Sequence, residues 1–281
     1  MVEQTSDFSS CGEAIAIGID LGVSNACVAI YHDGATTLIP NPNGKTHTQA
    51  YVSFQSKTDC LVGYNAYQKV SQNISATVFG TKRMQGRKFD DKNLQNYIKN
   101  YPFNVVGGPG GKPMVVVKPT KDPTEIKFSV LDITAKLLSH CKDYAQQYLK
   151  VPKISNVVLT VPGNFTHLQR SETSKAASKA GFAGIRIINQ PTAAALAYAV
   201  DKLSCESEQE FLVWNFGGGS LDVSLLTIDA GEIKIKATEG DPDLGGEDFT
   251  TELVNHCIKE GNLNLDAKQT FRLRKACDEA K

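Results

Sequence analysis

The sequence lacks the features that mark membrane-spanning, secreted and nucleic-acid-binding proteins. No apolar run reaches the ~18 residues that a transmembrane helix needs. Glu3, Asp7 and Glu13 interrupt the N-terminal region, where a secretory signal would carry basic and then apolar residues. The 281 residues include 30 basic and 30 acidic side chains, so neither sign of charge dominates. We therefore expect no membrane partner and no nucleic-acid partner.

Cysteine is present without the spacing of a disulfide framework or a zinc site. The seven cysteines stand far apart, and no Cys-x-x-Cys pair occurs among them. Isolated thiols of this kind are typical of small buried apolar side chains in a reducing compartment. We expect a cytoplasmic protein, and the sequence leaves a nuclear location open.

Two common phosphate-binding motifs are also missing. Neither the GxxxxGK[ST] motif of P-loop proteins nor the GxGxxG motif of dinucleotide-binding proteins occurs in the sequence. Both motifs bind phosphate through glycine-rich turns at a helix N-terminus. Their absence argues against a P-loop site and against a Rossmann site.

The order of apolar runs and turn residues predicts a mixed α/β protein. Apolar runs bounded by turn residues predict strands at 14–19, 26–31, 36–39, 114–117, 156–162 and 185–188. Apolar residues at three- and four-residue spacing predict a helix at 131–149. A second helix is predicted at 166–180, where Gly181 would end it, and a third at 192–203, where Pro191 would open it. The segment 65–101 has a polar, helical pattern.

The chain contains an internal repeat. A polar segment at 204–210 has the composition of a linker, and after it the order strand, glycine turn, strand, turn, strand begins again over 211–238. Repetition on this scale indicates the duplication of a domain-sized unit.

Each copy of the repeat opens with a glycine-containing turn at the end of a strand. The first turn runs from Asp20 to Asn25, and the second runs from Asn215 to Asp222. Glycine lets backbone N–H groups approach an anion without a Cβ in the way. Two such turns at equivalent places in a repeat predict a site that holds a phosphate chain from both sides.

Several long segments resemble the nucleotide-binding domain of the seventy-kilodalton heat-shock chaperones, the heat shock protein 70 family. The matching segments are IGIDLGVSNACVAIY, TKRMQGRKFDD, VVLTVPGNF, RIINQPTAAALAYAVDK, WNFGGGSLDVSLLTI, GDPDLGGEDF and RLRKACDEAK. They extend from about Gly18 to Lys281. The resemblance implies an α/β, two-lobed, actin-like ATPase fold of the ribonuclease H type.

The resemblance also implies a division of the chain. Residues 1–12 would be a loose tail and residues 13–203 the first lobe, with an inserted subdomain near 51–129. Residues 204–281 would begin a second lobe that stays incomplete, and no peptide-binding domain is expected in this chain. An incomplete lobe would expose apolar faces and bind adenosine weakly.

The same resemblance assigns roles to single residues. Those implied to contact the nucleotide are Gly22, Val23, Ser24, Asn25, Lys82, Gly217, Gly218, Gly219, Ser220, Asp278 and Lys281. Asp20 would hold Mg²⁺ through water, and Lys82 would reach the γ-phosphate. Pro162 would couple nucleotide state to lobe position, and Arg186 matches a contact of J-domain co-chaperones. The implied cofactors are ATP or ADP with Mg²⁺, and the implied partners are J-domain co-chaperones and nucleotide-exchange factors.

Three positions of the implied catalytic and phosphate-binding set depart from the family pattern. The family has glutamate before Pro191 and aspartate before the three glycines, whereas this chain has Gln190 and Asn215. An amide keeps the shape of the carboxyl group but loses its negative charge and cannot accept a proton. Val23 also replaces a threonine hydroxyl. Because loss of a proton acceptor commonly lowers a rate by ~10²–10⁴, we expect slow or absent ATP hydrolysis.

Two functions from different classes therefore remain open. One is an ATP-binding chaperone component with impaired hydrolysis. The other is a catalytically inactive interaction module that engages co-chaperones or nucleotide-exchange factors through its lobe surfaces. A sugar or acetate kinase of the same superfamily is disfavoured, because the matching segments are those of the chaperones and no sugar-site pattern is visible.

Overall fold

The computed structural model describes residues 15–119, 121, 124–202, 208–229 and 232–281. The predicted tail at 1–12, residues 204–207 of the predicted linker and the predicted turn at Gly231 lie outside the described residues. Among the helices of the described ranges, none is both long enough and apolar enough to cross a bilayer.

The described residues form strands and helices in alternating groups. The strands are β1 (Ala16–Leu21), β2 (Asn25–His32), β3 (Ala35–Leu38), β4 (Thr48–Gln49), β5 (Val52–Phe54), β6 (Cys60–Val62), β7 (Thr77–Val78), β8 (Asn104–Gly107), β9 (Pro113–Val117), β10 (Ile126–Ser129), β11 (Asn156–Val161), β12 (Gly184–Asn189), β13 (Gln209–Phe216), β14 (Leu221–Asp229) and β15 (Glu232–Asp241). The α-helices are α1 (Tyr64–Lys69), α2 (Lys92–Ile98), α3 (Val130–Leu149), α4 (His167–Lys179), α5 (Gln190–Lys202), α6 (Gly246–Glu260) and α7 (Ala267–Ala280).

The central sheet places the first glycine turn at its edge. Its strand order is β12-β11-β1-β2-β3, with β4 paired to β2. Strands β1, β2 and β3 form an antiparallel meander, whereas β11 lies parallel to both β1 and β12. Ile17, Ile19 and Leu21 alternate along β1 and are buried in the main core. Since β1 and β11 are parallel, their carboxyl ends meet at one edge, where Asp20 pairs in register with Thr160.

Helices α3 and α4 pack against each other beside the central sheet, and their ends follow the sequence signals. Ser129 and Asp132 form a capping box at the start of α3, and Thr166 with Gln169 does the same for α4. Gly181 follows α4 with φ of 85°, a left-handed conformation that glycine adopts without strain. The predicted helices at 131–149 and 166–180 are therefore confirmed to within two residues.

The prediction of a helical segment over 65–101 is wrong for most of its length. Only α1 and α2 are α-helical there, and β7 lies between them. Val78 and Phe79 are buried in a second, aromatic-rich core, and Gly80 and Gly86 both have φ of 67°. The polar pattern suggested a helix, but burial of Val78 and Phe79 and two left-handed glycines interrupt it.

The second meander has the predicted antiparallel order β13-β14-β15. Its edge strand β13 exposes one apolar face, with Leu212 and Trp214 each 66% exposed. Phe216 continues this face, and its ring packs edge-on against Phe249 of α6 with centroids 5.8 Å apart. The exposure of apolar surface expected from the sequence is thus present on β13.

Gly86 offers a test of the turn that precedes α2. A Cβ at Gly86 would lie 2.6 Å from the Cα of Gln169, whereas a Cβ at Gly110, which has φ of 66°, would meet nothing within 4 Å. Both alanine substitutions pay for a left-handed backbone, ~1–2 kcal/mol, but Gly86→Ala also displaces the backbone of α4. We expect Gly86→Ala to lower the free energy of unfolding by ~1–3 kcal/mol more than Gly110→Ala does. Urea denaturation measures both, and equal losses would contradict the close packing.

Candidate functional site

The two glycine turns have the same backbone hydrogen bond. In the first, Gly22 N–H donates to the carbonyl of Asn25 at 2.8 Å, and in the second, Gly217 N–H donates to the carbonyl of Ser220 at 3.0 Å. In each turn the hydrogen bond thus joins two residues that are three positions apart in the sequence. Each turn connects the first two strands of its meander. The repeat seen in the sequence is preserved at the level of single hydrogen bonds.

The two turns also lie against each other. A Cβ on Gly218 would lie 2.4 Å from the hydroxyl oxygen of Ser24, and a Cβ on Gly219 would lie 2.4 Å from Cγ2 of Val23. A larger residue at either glycine would need the side chain of Ser24 or Val23 in the opposite turn to move. The structure thus brings the two predicted phosphate turns together across one cleft.

Asp20 is joined to the second meander by a chain of two amides. Gln190 Nε2 donates to Asp20 Oδ1 at 2.7 Å, and Asn215 Nδ2 donates to Gln190 Oε1 at 3.3 Å. The hydroxyl of Thr160 donates to the same Asp20 oxygen. Carboxylates at positions 190 and 215 could not donate these bonds and would place like charges at hydrogen-bond distance. With amides at both positions, the side chains form a hydrogen-bonded chain to Asp20 where three carboxylates would repel one another.

Lys82 lies beneath the first turn, buried to 8% exposure. Its ammonium group donates to the carbonyl of Leu21, and it lies 5.8 Å from the ring centroid of Phe165. Burial lowers the pKa of Lys82 to about 8, and the nearby carboxylates of Asp20 and Asp222 oppose this shift. Lysine side chains are usually exposed to solvent, but Lys82 is buried at the cleft.

Asp222 is a site residue to which the sequence analysis gave no role. Its side chain is fully buried, and its Oδ1 accepts the N–H of Gly163 at 3.1 Å. Its Oδ2 has no hydrogen-bond partner. Burial raises the pKa of Asp222, although hydrogen bonds and the charge of Lys82 act in the opposite direction. The available signal was an acidic residue in the apolar strand that directly follows the second turn.

The start of α6 supplies three further polar contacts that the sequence did not single out. Ser24 donates its hydroxyl to Glu247 Oε1 at 2.8 Å. The guanidinium of Arg83 donates to both carboxylate oxygens of Asp248 and, at 3.2 Å, to the carbonyl of Gly219. Arg83, Glu247 and Asp248 stand in the matching segments TKRMQGRKFDD and GDPDLGGEDF, which was the only sequence signal for them.

Asp278 and Lys281, at the C-terminal end of the chain, are connected to the second turn through the start of α6. Lys281 Nζ donates to the carbonyl of Gly246 at 3.0 Å, to Thr250 Oγ1 at 2.9 Å and to Asp278 Oδ1 at 2.7 Å. Gly246 N–H in turn donates to the carbonyl of Gly217 at 3.0 Å. Lys281 is therefore connected to the second glycine turn through Gly246, and Asp278 is connected to it through Lys281 and Thr250.

The two predicted coupling residues have different positions. Pro162 is buried directly after β11, next to Gly163, whose N–H binds Asp222. Arg186 is exposed on β12, an edge strand of the central sheet. Pro162 thus adjoins the cleft, whereas Arg186 belongs to an outer surface.

The comparison with known families agrees with this geometry. The family model described as Hsp70 protein matches residues 16–281. The chain belongs to the Hsp70 family. The expected fold class is confirmed with it, since the nucleotide-binding domain of Hsp70 proteins has an actin-like ATPase fold.

Curated members of the Hsp70 family match nearly the whole chain. The "Heat shock 70 kDa protein" of Neurospora crassa is 42% identical over 274 residues, which cover 95% of this chain and 42% of the relative. The "Heat shock 70 kDa protein 2" of Paracoccidioides lutzii is also 42% identical, with 95% and 41% covered. The human "Putative heat shock 70 kDa protein 7" is 40% identical, with 95% and 73% covered. The chain thus spans less than half the length of the fungal Hsp70 relatives.

The Arg83–Asp248 pair gives a test of how the cleft is held together in this Hsp70 chain. Asp248→Asn removes the counter-charge of a guanidinium that is only 7% exposed, so we expect the free energy of unfolding to fall by ~1.5–3 kcal/mol. In the exposed pair Lys118–Glu125, whose side chains are 60% and 52% exposed, Glu125→Gln should cost less than ~0.5 kcal/mol. Chemical denaturation measures the free energy of unfolding of both variants. Similar small losses of this free energy would show that the Arg83–Asp248 pair does not hold the cleft together.

Proposed function

We propose that this Hsp70-family chain is a cytoplasmic chaperone component that binds ATP or ADP with Mg²⁺ between its two glycine turns and hydrolyses ATP slowly. The observation that carries the proposal is the contact of Val23 and Ser24 with Gly218 and Gly219 above a buried lysine. Backbone N–H groups of both turns can then approach one phosphate chain from opposite sides.

The donor set suits Mg²⁺ held through its water molecules. Within the described ranges, no three histidine, cysteine or carboxylate side chains converge to bind a metal directly. Two carboxylates are nonetheless near the cleft: Asp20 is exposed, and buried Asp222 has an unpartnered oxygen. Mg²⁺ dehydrates reluctantly and is commonly held by one or two carboxylates together with substrate phosphates. When bound, the ion would neutralise charge on the β- and γ-phosphates.

Lys82 is the cation of this chain that would meet the terminal phosphate. Its buried position fixes the ammonium next to the first turn, so little reorganisation is needed to place positive charge beside a transferred phosphoryl group. The hydroxyl of Ser24 is bound to Glu247. It would exchange that carboxylate for a phosphate oxygen, while Val23 offers no hydroxyl.

Slow hydrolysis follows from the amide chain. Gln190 and Asn215 are hydrogen-bonded in series to Asp20, and neither amide accepts a proton from an attacking water. Each missing negative charge also removes ~4 kcal/mol of gross Coulomb attraction for a cation at ~4 Å, at an effective dielectric of ~20. Both effects lower the rate of hydrolysis and the affinity for Mg²⁺.

A catalytically inactive interaction module is the second candidate. In its favour, the two halves are already joined by protein contacts, through Arg83 to Asp248 and through Arg87 to Asp243. A cleft closed by its own ion pairs needs no nucleotide to hold its shape. Under this proposal J-domain co-chaperones or nucleotide-exchange factors bind the outer lobe surfaces, including that of exposed Arg186.

Calorimetry and single-turnover kinetics separate the two candidates. We expect Mg·ATP to bind more weakly than it does to the variant Asn215→Asp/Gln190→Glu, which restores two negative charges, and to be hydrolysed ~10²–10⁴ times more slowly than by that variant. Gln147→Glu, the same kind of amide-to-acid change at an exposed position of α3, is the matched control. Absence of heat with Mg·ATP would favour the interaction module, and no rate increase in the double variant would contradict the role of the amides.

The lowered pKa of Lys82 predicts a pH-dependent affinity for Mg·ATP. With a pKa of about 8, the ammonium is protonated at pH 7 and is ~10% protonated at about pH 9. The affinity should therefore fall several-fold between these pH values. Lys82→Arg keeps its charge throughout this range, so calorimetry on that variant should show a much smaller change. An equal fall in both proteins would assign the effect to another group.

A further inference from the structure

A cavity of about 190 Å³ lies between the two halves of the chain, beside the glycine turns, and shares only Val23 and Ser24 with the residues assigned to the nucleotide. Val23 and Ser24 border its floor, whereas Lys82, Asp278 and Lys281 do not line it. Helix α6 contributes to both sites. Its Thr250 binds Lys281, whereas its Glu247 and Thr251 line the cavity.

One wall of the cavity is aromatic. Tyr51 stacks on Phe79 with ring centroids 4.9 Å apart and an interplanar angle of 27°. Tyr101 meets Phe79 edge-on at 5.6 Å, and Tyr97 completes the wall with its ring beneath Arg83. Aromatic walls favour a flat, apolar-faced molecule, since ring faces and edges pack best against another ring.

The opposite wall is polar, and four of its charges are paired. Arg83 is bound to Asp248, and Arg274 is bound to Glu247 and, at 3.0 Å, to Thr251. The remaining ionisable group that lines the cavity is the exposed Glu252. An anion would therefore face a net negative wall, whereas a neutral molecule with donors and acceptors on its edge meets hydroxyl and amide groups.

The size and the mouth of the cavity narrow the ligand class further. Its volume is below the ~300–1,000 Å³ of sites for drug-sized ligands, so one or two fused rings would fill it. The side-chain amides of Asn96 and Asn100 lie at the exposed side, where they can bond the edge of a heterocycle.

We propose that this cavity, walled by Tyr51, Phe79, Tyr97 and Tyr101 on one side and by Glu247, Thr251 and Arg274 on the other, is a second small-molecule site for a neutral, planar heteroaromatic compound of the nucleobase class. Its walls come from both halves of the chain. A ligand held there adds contacts between the halves and favours the closed cleft. Lys82, the three glycines of the second turn, Asp278 and Lys281 do not line the cavity, so it can be occupied with or without a nucleotide.

Titration of free adenine into the full chain tests the proposal, because adenine has neither ribose nor phosphate. We expect saturable binding with a dissociation constant of about 1 mM or tighter. Urate, a purine of similar size that carries a negative charge, should bind at least tenfold more weakly. Absence of adenine binding at about 10 mM, or equal binding of urate, would overturn the proposal.

Matched tryptophan substitutions locate the bound adenine. Asn96→Trp fills the mouth of the cavity and should weaken adenine binding at least tenfold, whereas Lys92→Trp, on an exposed position of the same helix outside the cavity, should change it less than twofold. Mg·ATP affinity should stay unchanged in both variants. Asn100→Trp replaces Asn96→Trp if that variant does not fold.

Lys281→Ala distinguishes the cavity from the nucleotide site. Loss of adenine binding in Lys281→Ala with retention in Asn96→Trp would place adenine on the adenosine side and refute the second site. Adenine binding that survives in a chain showing no heat with Mg·ATP would support the cavity while contradicting the proposed nucleotide function.

Discussion

The contact between the two glycine turns constrains the rest of the cleft. Val23 and Ser24 approach Gly218 and Gly219 so closely that a methyl group on either glycine would displace a side chain of the other turn. The approach fixes how the meander β1-β2-β3 faces the meander β13-β14-β15. The hydrogen bond from Arg83 to the carbonyl of Gly219 joins the two halves at the same place. The close approach of the turns therefore depends on Gly218 and Gly219 having no side chain.

Electrostatically, the cleft compensates its own charges. Arg83 and Arg274 each have a carboxylate partner from α6, and Asp20 receives an amide and a hydroxyl. The main exception is Asp222, whose second oxygen remains unpaired in the interior near Lys82. An unpaired buried oxygen is costly, and Asp222 shares this cost with other buried polar atoms near the cleft, such as Nε of Arg83 and the side-chain amide of Asn164. Replacement of two carboxylates by Gln190 and Asn215 reduces the like-charge repulsion that a cation would otherwise have to offset.

Local patterns predicted the parts of the fold that local interactions determine. The meanders, α3 and α4 follow from alternation, three- and four-residue spacing and capping residues, and the structure contains them nearly as predicted. The burial of Lys82 and the pairing of Arg83 with Asp248 could not be predicted in this way, because the paired residues are 165 positions apart. The prediction of a helix over 65–101 was wrong for a related reason, because the burial of Phe79 in the second core overrides the polar pattern. Asp222 was visible in the sequence, but only its depth and its unpaired oxygen give it significance.

The exposed face of β13 has a spectroscopic consequence. Trp214, with 66% of its surface in solvent, is the single tryptophan of the chain. Its indole therefore emits from a wet environment, and any surface that covers the strand shifts that emission to shorter wavelength. The chain thus carries an intrinsic fluorophore on an uncovered apolar strand face, and its emission reports on occlusion of that face without an added label.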